Sequence, residues 1–453
     1  MSLVVAFAGF VAVGADELDL PQLVDLALDR NLHIEASVSQ VAEAETLLDQ
    51  AAAAAYPTFQ LQTLIGGPTS EAKTAVRNDI STITPQSLGG DLNFGELGFA
   101  VRGGAQIFVP ISTFGKIRRA KRATESLVEA AEHQSDVTRA QVVYDVARAF
   151  WTIQLVESLL SSLADGQNTL EGILERVEEL LDDESAQVTE NDRLRLEYVL
   201  RTLSVREAEA RAARKQATAA LLLLTGLPQT EELSFVRRPL YEAIPASAPP
   251  LELVIEQARL GRPDLAALRA VVDAQKAFAQ FRAAGLLPDF LLGALVNFAY
   301  QSNATDQTNP FIFDPYNIVD FGLGVGLRWE LNVVQKLAEL EQAKAELSTR
   351  RVQEELATGA AELEVRAIHA GLEGNLERLK QLGRANRAAS GWLTSNVLAY
   401  DIGTGDAAEL IDAFLAWAAS EAEIQTVRYD TILELASLAR ATGRLAREAG
   451  ARD

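Results

Sequence analysis

The sequence predicts a mainly α protein with a β-barrel portion, built from two tandem repeats of strands and long helical hairpins. Three observations predict it. First, the 14 prolines run from Pro21 to Pro110 and from Pro228 to Pro315, leaving 111–227 and 316–453 free of the residue that breaks helix interiors. Second, a shift of 231 residues places Leu20 on Leu251, Ala27 on Ala258, Val41 on Val272, Ala52 and Ala53 on Ala283 and Ala284, Pro57 on Pro288, Phe59 on Phe290 and Leu61 on Leu292 without a gap. Third, the hydrophobic period changes from helical to two after each of the matched prolines.

The elements follow in order. Residues 1–15 are apolar and uncharged, with Val13 and Ala15 as small residues before a cut, and read as the remnant of a signal peptide that lacks its leading Lys or Arg. The first repeat, 16–228, opens with Leu23, Val24, Ala27 and Leu28, then Ile34, Val38, Val41, Ala44 and Leu48, a single helical run to Pro57. A strand alternates Leu97, Phe99, Val101, Ala105, Ile107 and Val109 with Gly98, Arg102, Gly104 and Gln106. From Lys116 to about Leu181 the helical pattern hardly breaks, which at about 1.5 Å per residue spans roughly 100 Å. A returning helix, about Asp192 to Leu224, is rich in Ala and ends at Gly226 and Pro228.

A linker, 229–250, holds Pro239, Pro245, Pro249 and Pro250. The second repeat, 251–445, repeats the order, and a shift of 220 puts Lys116 on Lys336 at the start of its long helix. Its strand pair is Phe290 to Tyr300 and a segment in which Phe321, Leu323, Val325, Leu327 and Trp329 alternate with Gly322, Gly324, Gly326 and Arg328. Residues 446–453 form a tail. The alternation fits a barrel strand with those five side chains toward lipid and a wet lumen behind; a soluble half-buried strand gives the same pattern. Four strands are too few to close a barrel, and open edges cannot face lipid, so membrane strands would have to be shared, eight from two copies or twelve from three.

Composition narrows the function. With 41 Lys and Arg against 63 Asp and Glu, the net charge of -22 argues against sequence-independent nucleic-acid binding. Cysteine is absent, which excludes disulfides, thiolate zinc sites and a cysteine nucleophile. His33, His133 and His369 are scattered through helical sequence without a second ligand at metal spacing and read as helix-surface residues. No cofactor or metal site is expected, and the acids lie on helix surfaces rather than paired in a pocket, so no enzyme is expected.

In this order, and twice over, the motifs resemble the TolC-like outer-membrane efflux proteins over about 18–440. The carriers are Leu18-Asp19-Leu20 with Ala27-Leu28 and Asn31, the matching Arg262-Pro263-Asp264-Leu265, and the switches at Pro57 and Pro288. Val109-Pro110-Ile111 with Phe114-Gly115-Lys116, then Val146-Ala147-Arg148-Ala149-Phe150, and Leu223-Leu224-Thr225-Gly226 complete the set. The resemblance implies a homotrimer whose twelve strands form one barrel in the cell outer membrane and whose twelve helices form a tunnel extending into the periplasm. It implies a passive exit duct of a tripartite efflux pump or a type I secretion system, with a periplasmic adaptor and an inner-membrane transporter as partners, gated at the helix tips. A soluble periplasmic coiled-coil adaptor or stalk would share the helices but not the strands.

The resemblance also points to a periplasmic aperture at Tyr400, Gly403 and Thr404, then Asp406, Glu409 and Asp412. The three acids are spaced three apart on one helix face and would stack as acidic rings in a trimer. Asp406 with Glu409 reads equally as a capping box. At the first turn Thr189 and Asp192 form a similar cap, and Glu190 is the candidate for the pore. Two departures stand out. Gly405 occupies a place where the family often has Arg, which removes a Tyr to Arg lock. The first turn reads Leu181-Asp182-Asp183-Glu184-Ser185 instead of the family's Tyr and Gly spacing.

Overall fold

The computed structural model describes residues 17–69, 97–182, 188–304, 314, 316–402 and 404–450. The segment 1–15, Gly403 and the middle of the first turn, 183–187, lie outside the described residues.

In chain order the elements are α1 (Leu20–Arg30), α2 (Leu32–Ala53), β1 (Thr58–Thr69), β2 (Gly98–Ser112), α3 (Lys116–Asp182) and α4 (Glu190–Leu224). The second set is α5 (Leu251–Gly261), α6 (Pro263–Ala284), β3 (Asp289–Gln301), β4 (Ile318–Arg328), α7 (Val333–Asp401) and α8 (Ala407–Ala441), followed by α9 (Arg444–Gly450). The starts of α5, α6 and β3 follow those of α1, α2 and β1 by 231 residues, and α8 follows α4 by 217 at both ends. The helical run before each matched proline, expected as one helix, is two. Asn31 takes an extended conformation, its side-chain amide donates to Leu224 O at 2.8 Å, and its Oδ1 accepts from His33 N at 2.9 Å. At the matched position Pro263 drives Arg262 out of the helical region.

Two compact units result. The first comprises Met1–Ala42, Glu129–Arg269 and Val352–Asp453. Inside it, Leu23, Val24 and Ala27 of α1 pack with Val146, Phe150 and Leu221, while Val254, Ile255 and Ala258 of α5 pack with Val365, Leu372 and Leu438. The same helical stripe is thus buried in the same way twice. Each returning helix ends on Thr-Gly, Thr225-Gly226 and Thr442-Gly443. Both glycines have positive φ, and a Cβ on Gly443 would fall 1.8 Å from Gly261 O. Arg262 is held by Asp264 at 2.8 Å and Glu364 at 2.5 Å; burial opposes its charge, but those two carboxylates outweigh burial and raise its pKa. His369, expected at the surface, is buried on α7, with Nε2 2.8 Å from Pro249 O.

The second unit comprises Glu43–Val128 and Ala270–Arg351. Its centre is one antiparallel sheet in the order β1-β2-β3-β4, so β1 and β4 are edges. Residues opposite one another across antiparallel strands share a face. The register Phe59↔Ile107, Ile107↔Ala294 and Ala294↔Leu323, with Leu61↔Ala105, Ala105↔Val296 and Val296↔Phe321, joins the apolar residues of all four strands into one face. The opposite face mixes Gln60, Gln106, Arg102, Asn297, Asp320 and the glycines of β4 with Leu64, Phe108, Leu291 and Leu295. Between sheet and helix, Phe114 and Gly115 both have positive φ, a reversal fixed by Arg119 Nη1 donating to Phe114 O at 2.8 Å.

Candidate functional site

The first candidate region is where α3 meets α4 and α7 meets α8, all within the first unit. Leu170 and Val177 of α3, Leu196 and Val199 of α4, and Leu410, Ile411 and Phe414 of α8 form one buried cluster that includes Tyr400. Apolar burial welds the two hairpin ends together and leaves the acids outside. Gly405 is required there. Thr404 N and Gly405 N both donate to Ala399 O at 2.9 Å, and a Cβ on Gly405 would meet Tyr400 N at 2.6 Å. No Arg fits this turn, which gives a steric reason for the departure seen in the sequence.

Tyr400 is 9% exposed, and its hydroxyl finds no hydrogen-bond partner among the described residues. Burial pushes its pKa above the ordinary value; the positive charge of Arg176 opposes that and Asp192 adds to it. The hydroxyl is therefore a neutral group packed into an apolar cluster. Thr189 and Asp192 form the expected capping box. Asp406 caps α8 by accepting from Ala408 N at 2.9 Å, and no reciprocal bond from Glu409 completes a box, so the capping-box reading of that pair is not what the turn adopts.

Asp406, Glu409 and Asp412 are all exposed. Glu409 has no hydrogen-bond or ion-pair partner among the described residues. Asp412 differs: Arg195 of α4 pairs with it across the cluster. Glu190 is gripped by Arg193, with Nε 2.9 Å and Nη2 2.6 Å from Oε1, and that hydrogen bond, more than simple charge attraction, holds its carboxyl below the usual range. Arg195 and Asp401, a further exposed acid at the end of α7, are tip residues that the sequence reading did not single out. The helix end places Asp401; only the pairing of α4 with α8 brings Arg195 to Asp412.

The second region is the apolar face of the sheet. Phe321, Leu323, Val325 and Leu327 lie on it, with Phe321 84% exposed. Trp329 lies one residue past the end of β4, not within the strand, and its indole N–H donates to Leu286 O at 3.2 Å. In water, contiguous large apolar side chains at such exposure would be an association hazard, so this face needs lipid or protein against it. Among the described residues no helix is long and apolar enough to cross a membrane, and no cluster of His, Asp or Glu could hold a metal ion.

The four strands share one continuous apolar face, and helical hairpins complete the fold. Among solved structures the chain is similar over 94% of its length to the outer-membrane channel OprN, at 19% identity, 89% coverage of that chain and a TM-score of 0.76. It is similar to the transmembrane channel protein CusC at 17%, 92% and 0.76, and to the open state of the Neisseria gonorrhoeae MtrE outer membrane channel at 20%, 88% and 0.75. In sequence, no curated protein matches. Residues 254–444 match the outer membrane efflux protein family. The family match lies within the second repeat, and the likeness to solved outer-membrane channels extends their fold over nearly the whole chain.

Proposed function

We propose that three copies of the chain assemble into a passive duct, with twelve strands closing one barrel through the outer membrane and the helices forming a periplasmic tunnel. The observation that carries this is the four-stranded sheet whose apolar face is exposed and whose edge strands β1 and β4 each lack a second strand partner among the described residues. Backbone groups of an open edge cannot be left in hydrocarbon, so the edges must meet those of other copies. Each repeat, 16–228 and 251–445, supplies two strands and one helical hairpin. The duct serves a tripartite efflux pump or a type I secretion system, joined by a periplasmic adaptor to an inner-membrane transporter, and it opens by outward movement of the turns at 182–191 and 401–407.

At the tip, Glu409 and Asp412, with Asp406 above them, would be tripled into acidic rings, with Glu190 and Tyr400 on the neighbouring turns. Rings of carboxylates attract and retain cations. Single-channel recording in planar bilayers tests this: Glu409→Ala with Asp412→Ala should weaken divalent-cation block, whereas Arg195→Ala, which strips Asp412 of its counter-ion, should strengthen it. Block unchanged in both variants would remove the acids from the aperture.

A further inference from the structure

The start of α3 carries charge in the wrong place for a helix. Lys116, Arg118, Arg119, Lys121 and Arg122 put five cations into seven residues, and 97–124 contains no acid, in a chain whose net charge is -22. The N-terminal end of a helix is the positive end of its macrodipole, where acids are favoured and cations are not. No acid sits in the first turn. Local contacts occupy Lys116, Arg119 and Lys121 but leave the charges of Arg118 and Arg122 without a carboxylate among the described residues.

The geometry around them narrows what they meet. Within the second unit, Thr58, Ser112, Asp289 and Arg328 mark one end of the sheet, and α3 starts four residues after Ser112. Seven helical residues cover about 10 Å, so every one of the five cations lies within roughly that distance of the sheet's end. Exposed aromatic residues cluster at the same end: Tyr56, Phe114, Phe290 and Trp329, with the rings of Phe114 and Phe290 6.1 Å apart. Aromatic residues at strand ends mark the boundary between hydrocarbon and headgroups. Arg118 and Arg122, one turn apart and exposed, have no carboxylate partner among the described residues, while Lys116 is held by Asp289 at 2.8 Å and Lys121 by Glu125 at 3.6 Å.

We infer that the first two turns of α3 form a basic collar that binds the phosphate headgroups of anionic phospholipids in the periplasmic leaflet, anchoring the duct at a fixed depth. This rests on the reading of the sheet as membrane-spanning. The occupant is lipid because the collar continues directly from the apolar face and its aromatic border, and because Arg118 and Arg122 are exposed rather than gathered into a closed pocket.

The test uses the full chain, purified in detergent and returned to vesicles of phosphatidylcholine alone or with one-fifth phosphatidylglycerol, with bound lipid counted by native mass spectrometry. A cation near an anionic surface shifts partitioning about five-fold, so Arg118→Gln with Arg122→Gln should lower the preference for phosphatidylglycerol about 25-fold, while Arg118→Lys with Arg122→Lys should keep it. The wild-type preference should also collapse near 1 M salt, where the Debye length is about 3 Å. Equal retention of both lipids by the wild type, or a preference that survives the Gln pair or high salt, overturns the collar. If the Gln pair fails to assemble, the salt titration of the wild type decides alone. Failure to insert into any vesicle would overturn the membrane reading itself, whereas insertion without lipid preference overturns only the collar.

Discussion

The hairpin tip and the sheet handle large apolar side chains in opposite ways. At the tip, Phe414, Leu410 and Ile411 are buried and the acids point outward, as in a water-soluble helical protein. In the sheet, Phe321, Leu323 and Val325 are exposed on one apolar face, while the other face mixes small, polar and apolar residues. One chain therefore follows two hydrophobic rules. The residue type does not decide which way it faces; in the proposed duct the solvent of each region does, water for the tip and hydrocarbon for the sheet.

The contrast can be broken most severely at Val325, in the middle of β4. Arg on the lipid face of a barrel costs about 2–4 kcal/mol at the bilayer midplane, and three copies multiply it. Val325→Arg should abolish outer-membrane insertion, read by membrane flotation; normal flotation would mean that this face does not meet lipid. A paired measurement sharpens the contrast. Phe414→Ala should lower stability by about 3–5 kcal/mol, because it empties a packed core. Phe321→Ala, made at an 84% exposed position, should change the thermal melt of the detergent-solubilised protein by less than about 1 kcal/mol. Equal losses would show that the two regions follow one rule.

The smallest expected effect concerns charge at the tip. The Glu190 carboxyl is held below its ordinary 4.5 by Arg193, so its contribution to stability is present above that value and is lost only as pH falls through the lowered one. The difference in melting temperature between wild type and Glu190→Gln should stay constant from about pH 6 to 8 and close at more acid pH. A difference that varies across pH 6 to 8 would mean that another group titrates there.

Much of this fold is legible in the sequence because its signals are periodic and local. The change to a period of two marks β2 and β4, the proline gaps bound α3 and α7, and the 231-residue shift aligns α1 with α5 and α2 with α6. What was not legible depends on partners far along the chain. Asn31 breaks the first helix by bonding to Leu224, 193 residues away. Arg195 neutralises Asp412 only because α4 and α8 pack side by side, and nothing in the spacing of either residue announces it. Tyr400 lies on a pattern that fits an exposed helix end, yet the close approach of Gly405 folds the turn over it. His369 is buried because its ring meets the backbone of the linker at Pro249.

The central claim is that three open sheets close one barrel. Native mass spectrometry of the protein extracted from outer membranes in mild detergent measures this directly. Three chains per particle is the expected result, and it gives twelve strands. A particle of one or two chains would contradict the claim, since it would leave the edges of β1 and β4 unpaired or close a barrel of eight strands instead.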